Sequence, residues 1–237
     1  MLSAPQNSPP ANDLATRLEA LRQRIAAAAS APGQYVDSIT LLAVSKGQAV
    51  ERIQEALALG LNQFGENYAY EALPKIHALR DAAPVWHFIG RLQANKTRAI
   101  AEHFDWVHSV DRLKLAERLA AQRAHTAAPL NVCVQVNVAS ETAKAGVAPA
   151  EALPLLQSVA LLPRLQLRGL MCMLPFDATQ QQQHEGFGQL RLLAEQARAA
   201  GLPLDTLSMG MSGDMEAAIA EGATMVRIGT ALFGPRP

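Results

Sequence analysis

The sequence has 237 residues, 49% of them hydrophobic, and its 21 Lys and Arg balance 21 Asp and Glu. That length and balance fit one soluble globular domain and exclude a fibre or a disordered protein. Basic residues are scattered rather than gathered into a stripe that would neutralise a nucleic-acid backbone, and no apolar run is long enough to span a bilayer.

The opening segment, MLSAPQNSPPAND, has no basic stretch leading into an apolar one. It reads as a flexible leader over residues 1–11 of a cytoplasmic protein, with 12–237 as a single domain. Asn12 or Asp13 can cap a first helix running to about Ser30, with Leu14, Leu18, Leu21 and Ile25 at helical spacing and Pro32-Gly33 as its stop. Beyond it, eight runs read as strands: TLLAVSK, NQFGEN, VWHFIG, DWVHSV, NVCVQVNV, LRGLMCM, TLSMG and TMVRIGT. Amphipathic stretches between them predict helices over Ala49 to Leu59, Arg112 to His125, Ala150 to Leu161, Gln180 to Ala200 and Met215 to Ala220. In LALG, RAAG and IAEG a glycine stands where a helix ends and a strand follows, the place for a left-handed residue. Strands that alternate with helices imply a parallel sheet, and eight such units in roughly 200 to 250 residues fit a closed (β/α)8 TIM barrel better than an open doubly wound sheet. A GxGxxG after the first strand is absent, which counts against a dinucleotide-binding fold. The two cysteines, Cys133 and Cys172, lie in apolar strand-like runs and read as buried reduced thiols.

In such a barrel the active site lies where the strands end. The first run ends on Lys46, and alternation puts Leu42, Val44 and Lys46 on one face; in the last run it puts Met225, Arg227 and Gly229 on one face. If both faces point inward, Lys46 meets Arg227, because the first and last strands of a closed barrel are neighbours. A lysine there can act as an imine-forming nucleophile once desolvation or a nearby cation favours its neutral amine. Plainer explanations stand beside these: Lys46 snorkels from the barrel mouth, and Arg227 pairs with an inward carboxylate such as Glu66. In SMGMSGDMEAAIAEG, Ser212 precedes Gly213 and a helical run, so it reads as an N-cap whose following amides attract an anion. Gly229-Thr230 adds a hydroxyl at the position where barrels commonly hold phosphate. Ordinary capping and turn glycines explain either piece alone. The histidines show no metal-binding spacing, and no Ser-His-Asp arrangement can be argued from the sequence.

An imine-forming lysine, an arginine and a phosphate cradle together describe a site for pyridoxal 5′-phosphate. The motifs AVSK, FGENY, WHFIGRLQANK, HSVD, QVNV with a downstream KAG, GLM and LSMGMSGDMEAAIAEGATMVRIGTALFG resemble the pyridoxal phosphate homeostasis protein family. Its fold is similar to the alanine racemase N-terminal domain, a fold type III barrel, and the resemblance covers about Ala11 to Pro237. It implies that Lys46 carries the cofactor's aldehyde as a Schiff base and that Arg227 faces the pyridine nitrogen. Ser212, Gly213, Gly229 and Thr230 would hold the phosphate, with Asn67 and Met209 beside the ring. Gly47 and Gln48 follow the lysine where the family typically has Thr and Lys, and Gly213 replaces a common Asp.

An arginine cannot take the pyridine proton, so the ring stays neutral and stabilises a carbanion weakly. The resemblance therefore implies a cytoplasmic holder of the cofactor, active in vitamin B6 homeostasis, rather than a strong catalyst. Candidate partners are apo forms of enzymes that use the cofactor; no nucleic acid and no membrane are expected, and the chain is expected to be a monomer or weak homodimer. Lys144, in SETAKAG, is a candidate second amine, though a solvated loop lysine is its plainer reading. The alternatives are a PLP-dependent amino-acid racemase and a PLP-free barrel for a phosphorylated metabolite. Racemisation needs a second base, for which Tyr68 and Tyr70 are candidates, although packing against a helix is the plainer role for both.

Overall fold

In the computed structural model, residues 13–29, 38–139 and 145–235 are described; the 1–11 leader and Lys144 lie outside them. Eight parallel strands close into a barrel in sequence order: β1 (Thr40–Val44), β2 (Gln63–Glu66), β3 (Val85–Phe88), β4 (Trp106–Val110), β5 (Leu130–Gln135), β6 (Leu165–Met171), β7 (Thr206–Ser208) and β8 (Met225–Ile228). The ring closes where β1 pairs with β8, with Leu42 opposite Arg227. The helices are α1 (Leu14–Ala28), α2 (Val50–Ala58), α3 (Ala69–Ala78), α4 (Thr97–His103), α5 (Leu113–Gln122), α6 (Pro149–Ala160), α7 (Gln180–Ala199), α8 (Met215–Ala220) and α9 (Thr230–Phe233).

Helix α1 buries Leu14, Leu18, Leu21 and Ile25, the stripe its spacing predicts, and packs them against α8 and α9. Asp13 is its N-cap residue. At the predicted helix-to-strand junctions Gly60, Gly201 and Gly222 have φ of 87°, 87° and 92°, the left-handed conformation that lets each helix end abruptly.

Three helices, α3, α4 and the four-residue α9, are not evident from the sequence pattern. α3 contains Pro74, which removes one helical hydrogen bond and masks the element, and α4 is only seven residues long. Several strands are also shorter than their apolar runs. Since β1 stops at Val44, Lys46 belongs to the turn beyond it rather than to the strand.

The core divides at the barrel wall. Most buried apolar side chains, Phe64, Phe104 and Phe187 among them, lie between sheet and helices. A smaller cluster of Trp106, Cys133 and Met171 is separate from these. Polar residues occupy the barrel with it: His87, His108, Ser208 and Arg227 are all buried and joined by hydrogen bonds. Both cysteines are free and buried, with thiol pKa values pushed up to about 12 by burial, so neither is a nucleophile near neutrality.

Candidate active site

A cavity of about 420 Å³ opens where the strands end, within the usual size range of a small-molecule site. The turn after β1 brings Lys46 and Gln48 to it, the end of β2 brings Asn67, and β8 with its following turn brings Arg227, Gly229 and Thr230. The loop after β7 adds Met211 to Asp214, and Met173, Pro175 and Phe176 follow β6. Lys46 and Arg227 thus line one space, as their places on neighbouring strands predict.

Arg227 is 4% exposed and does not pair with Glu66. Its Nη1 donates to the Ser208 carbonyl at 2.5 Å and to Ser208 Oγ at 2.9 Å, and Nη2 donates to the Cys172 carbonyl at 2.8 Å. Nε takes part in none of these bonds. Burial lowers the Arg227 pKa from its ordinary value, and its contacts are carbonyl and hydroxyl oxygens rather than a carboxylate. Glu66 is on the other side of the wall: it shares the parity of Phe64, which packs in the outer core, and its partners are Ser45 and Lys75.

A chain of hydrogen bonds continues from Arg227 into the barrel. Ser208 Oγ is 2.8 Å from His108 Nδ1, and His108 Nε2 is 2.9 Å from His87 Nδ1. Because arginine only donates, the Ser208 hydroxyl passes its own proton toward His108 Nδ1, which leaves His108 Nε2–H to donate to His87 Nδ1. Both rings are then neutral with the proton on Nε2. Burial holds the His87 pKa down at about 3 and, together with His87 and Arg227, puts His108 well below its ordinary value. The His87 ring stacks on Trp106, with centroids 5.2 Å apart and planes at 13°.

The loop after β7 differs from the sequence reading. Helix α8 begins at Met215 with Asp214, not Ser212, as N-cap residue, and the Asp214 carboxylate accepts from the Met211 amide at 2.5 Å. Burial raises the Asp214 pKa in spite of that bond. Ser212 and Gly213 form the turn ahead of the helix and line the cavity. A Cβ at Gly213 would meet nothing within 4 Å, so space does not demand glycine there.

Met209, which the resemblance puts beside the ring, does not line the cavity. It is fully buried in the main core; with Ser208 facing the barrel interior, its neighbour faces the helices, and Met211 lines the space instead. Tyr68 and Tyr70 neither line the cavity nor pack into a helix interface. They are 52% and 73% exposed, and their rings meet at a tilt of 32° with centroids 5.5 Å apart.

The residues present suit pyridoxal 5′-phosphate. Lys46 supplies an amine and Arg227 a cation that keeps its proton; Ser212 and Thr230 supply hydroxyls beside Gly213 and Gly229, where backbone can approach a phosphate closely. At the same cavity Asn67 Oδ1 is buried with no hydrogen-bond partner among the described residues, as expected of an atom placed for a ligand.

Residues 16–237 match the family model described as alanine racemase, N-terminal domain. A relative from Pseudomonas aeruginosa, a pyridoxal phosphate homeostasis protein, is 53% identical over 223 residues, 94% of this chain and 96% of that protein. Its counterpart in Escherichia coli K12 is 47% identical over 228 residues, 95% of this chain and 97% of that one. Among solved structures, PipY of Synechococcus elongatus PCC7942 with PLP bound superposes with a TM-score of 0.81 at 40% identity, covering 94% of this chain and all of that one.

Proposed function

The chain belongs to the pyridoxal phosphate homeostasis protein family, built on the alanine racemase N-terminal domain, and from that premise we propose that it holds pyridoxal 5′-phosphate as a Schiff base on Lys46. Its role on this reading is vitamin B6 homeostasis in the cytoplasm, with delivery of the cofactor to apo-enzymes as the further step. One observation carries the proposal: Lys46, Arg227, Ser212 and Thr230, from three separate stretches of sequence, line a single cavity. The PLP-bound PipY structure supports it.

Lys46 would hold the cofactor's aldehyde through its neutral amine, with the aldehyde oxygen and the two amine hydrogens released as water. Ser212, Gly213, Gly229 and Thr230 would hold the phosphate, and Asn67 would lie beside the ring. Arg227 would meet the pyridine nitrogen with a donor and no transferable proton, which would make the cofactor a weak electron sink. No tyrosine lines the cavity among the described residues, and its remaining lining offers Asp214 but no histidine as a titratable side chain. The alternative reading, an amino-acid racemase, thus lacks the tyrosine base that the sequence offered as a candidate.

Purified protein mixed with pyridoxal 5′-phosphate should show a visible imine absorbance band that Lys46→Ala abolishes. Without a band in the wild type, the proposal fails. Holoprotein incubated with L-amino acids in heavy water should exchange the α-proton slowly or not at all; rapid exchange would favour the racemase.

A further inference from the structure

On the helix side of the barrel wall, opposite the cavity, three charged residues converge on the corner that carries Lys46. Lys75, in the last turn of α3, is 6% exposed, and its ammonium makes three bonds: to the Ser45 carbonyl at 2.9 Å, Glu66 Oε1 at 2.8 Å and Glu71 Oε1 at 2.8 Å. Ser45 Oγ donates to the same Glu66 oxygen at 2.7 Å, and the Gly47 amide donates to Glu71 Oε1. The residues immediately before and after Lys46 are therefore both tied to one cluster. Gly47 takes a φ of 73°, which turns the chain away from the strand there.

This arrangement is a costly way to hold a fold. Glu66 is fully buried, desolvation raises its pKa against the bonds from Lys75 and Ser45, and Glu66 Oε2 has no hydrogen-bond partner among the described residues. Buried ion pairs add little net stability over apolar packing, because desolvation offsets their attraction. What this cluster supplies is direction: charge-assisted bonds fix the corner on both sides of one side chain. None of the three residues lines the cavity.

We propose that Lys75, with Glu66 and Glu71, is a positioning residue for Lys46: the cluster fixes the corner from behind the wall so that the Lys46 amine is presented to a bound aldehyde in an attacking geometry. The inference rests on Lys46 being the amine that takes up the aldehyde. A looser corner weakens the covalent step and leaves the pocket's grip on ring and phosphate intact.

The test uses the full chain as wild type, Lys75→Met, Glu71→Ala and Glu71→Gln. Each is titrated with pyridoxal 5′-phosphate and, separately, with pyridoxine 5′-phosphate, which carries an alcohol in place of the aldehyde and cannot form an imine. Borohydride trapping with mass spectrometry reads the covalent fraction, and calorimetry reads binding of the alcohol. In Lys75→Met and Glu71→Ala the imine equilibrium should weaken about tenfold, as loss of orientation and of a charge-assisted bond implies, while affinity for the alcohol stays within about twofold. Glu71→Gln, which keeps an acceptor for the Gly47 amide, should lose less. Should Lys75→Met fail to fold, Glu71→Ala carries the test, since the Glu71 side chain is 24% exposed. Equal loss for both compounds, or no change for either, overturns the inference. If the wild type traps no aldehyde, the reading of the cavity falls first and this inference with it.

Discussion

Single residues decide whether the cavity is a site, and here the sequence was partly legible. Lys46 and Arg227 were readable because each closes an apolar run, and the barrel sets those runs side by side. Met209, which the resemblance puts beside the ring, is buried in the outer core, because alternation turns it away from the interior-facing Ser208. The chain from Arg227 through Ser208 to His108 and His87 was not legible, since its members are 19, 100 and 21 residues apart. It carries a prediction of its own. The fold keeps His87 neutral down to about pH 3, whereas the unfolded chain protonates it below about pH 6.5. In acid the unfolded state therefore binds more protons, and stability present above pH 6.5 is lost progressively as the pH falls toward 3. For His87 alone the loss is about 2 kcal/mol at pH 5, and the lowered pKa of His108 acts in the same direction. Urea denaturation should show it between about pH 7 and 5, while 15N NMR of the folded protein finds both rings untitrated; a protonated His87 at pH 5 would contradict the assigned chain.

At the scale of elements, the order of strands and helices was legible because each strand reads as an apolar run and glycine closes three of the helices. The contacts that shape the cavity were not. A Cβ at Gly90, just after β3, would be 2.0 Å from the Asn67 carbonyl oxygen. The end of β2 can place Asn67 at the cavity only while that position is bare. Gly90→Ala should therefore destabilise the fold by about 2 kcal/mol, in the range of an overpacked core, and weaken binding of pyridoxine 5′-phosphate. Denaturation and calorimetry measure the two effects; a stable variant with unchanged binding would show that Asn67 is placed by something else. Lys75 was equally hidden. Its helix, α3, is itself not evident in the sequence, and only the fold brings Ser45, Glu66 and Glu71 around it.

For the molecule as a whole, closure of the barrel turns scattered strand ends into one constellation. The same closure leaves Arg227 among carbonyl and hydroxyl oxygens, with no hydrogen bond to a carboxylate among the described residues. With Arg227 at the pyridine nitrogen, as proposed, carbanion stabilisation would be weak, and the protein is expected to hold a reactive aldehyde more than it transforms amino acids. Delivery is a separate property: holoprotein should restore an apo-enzyme faster than free release of the cofactor allows, and no acceleration would leave only a buffering role. The most direct test of the central claim is mass spectrometry of the protein after mixing with pyridoxal 5′-phosphate and reduction with borohydride. One covalently attached phosphopyridoxyl group on Lys46 per chain is the predicted result; an unmodified Lys46, or label spread over surface lysines, would contradict it.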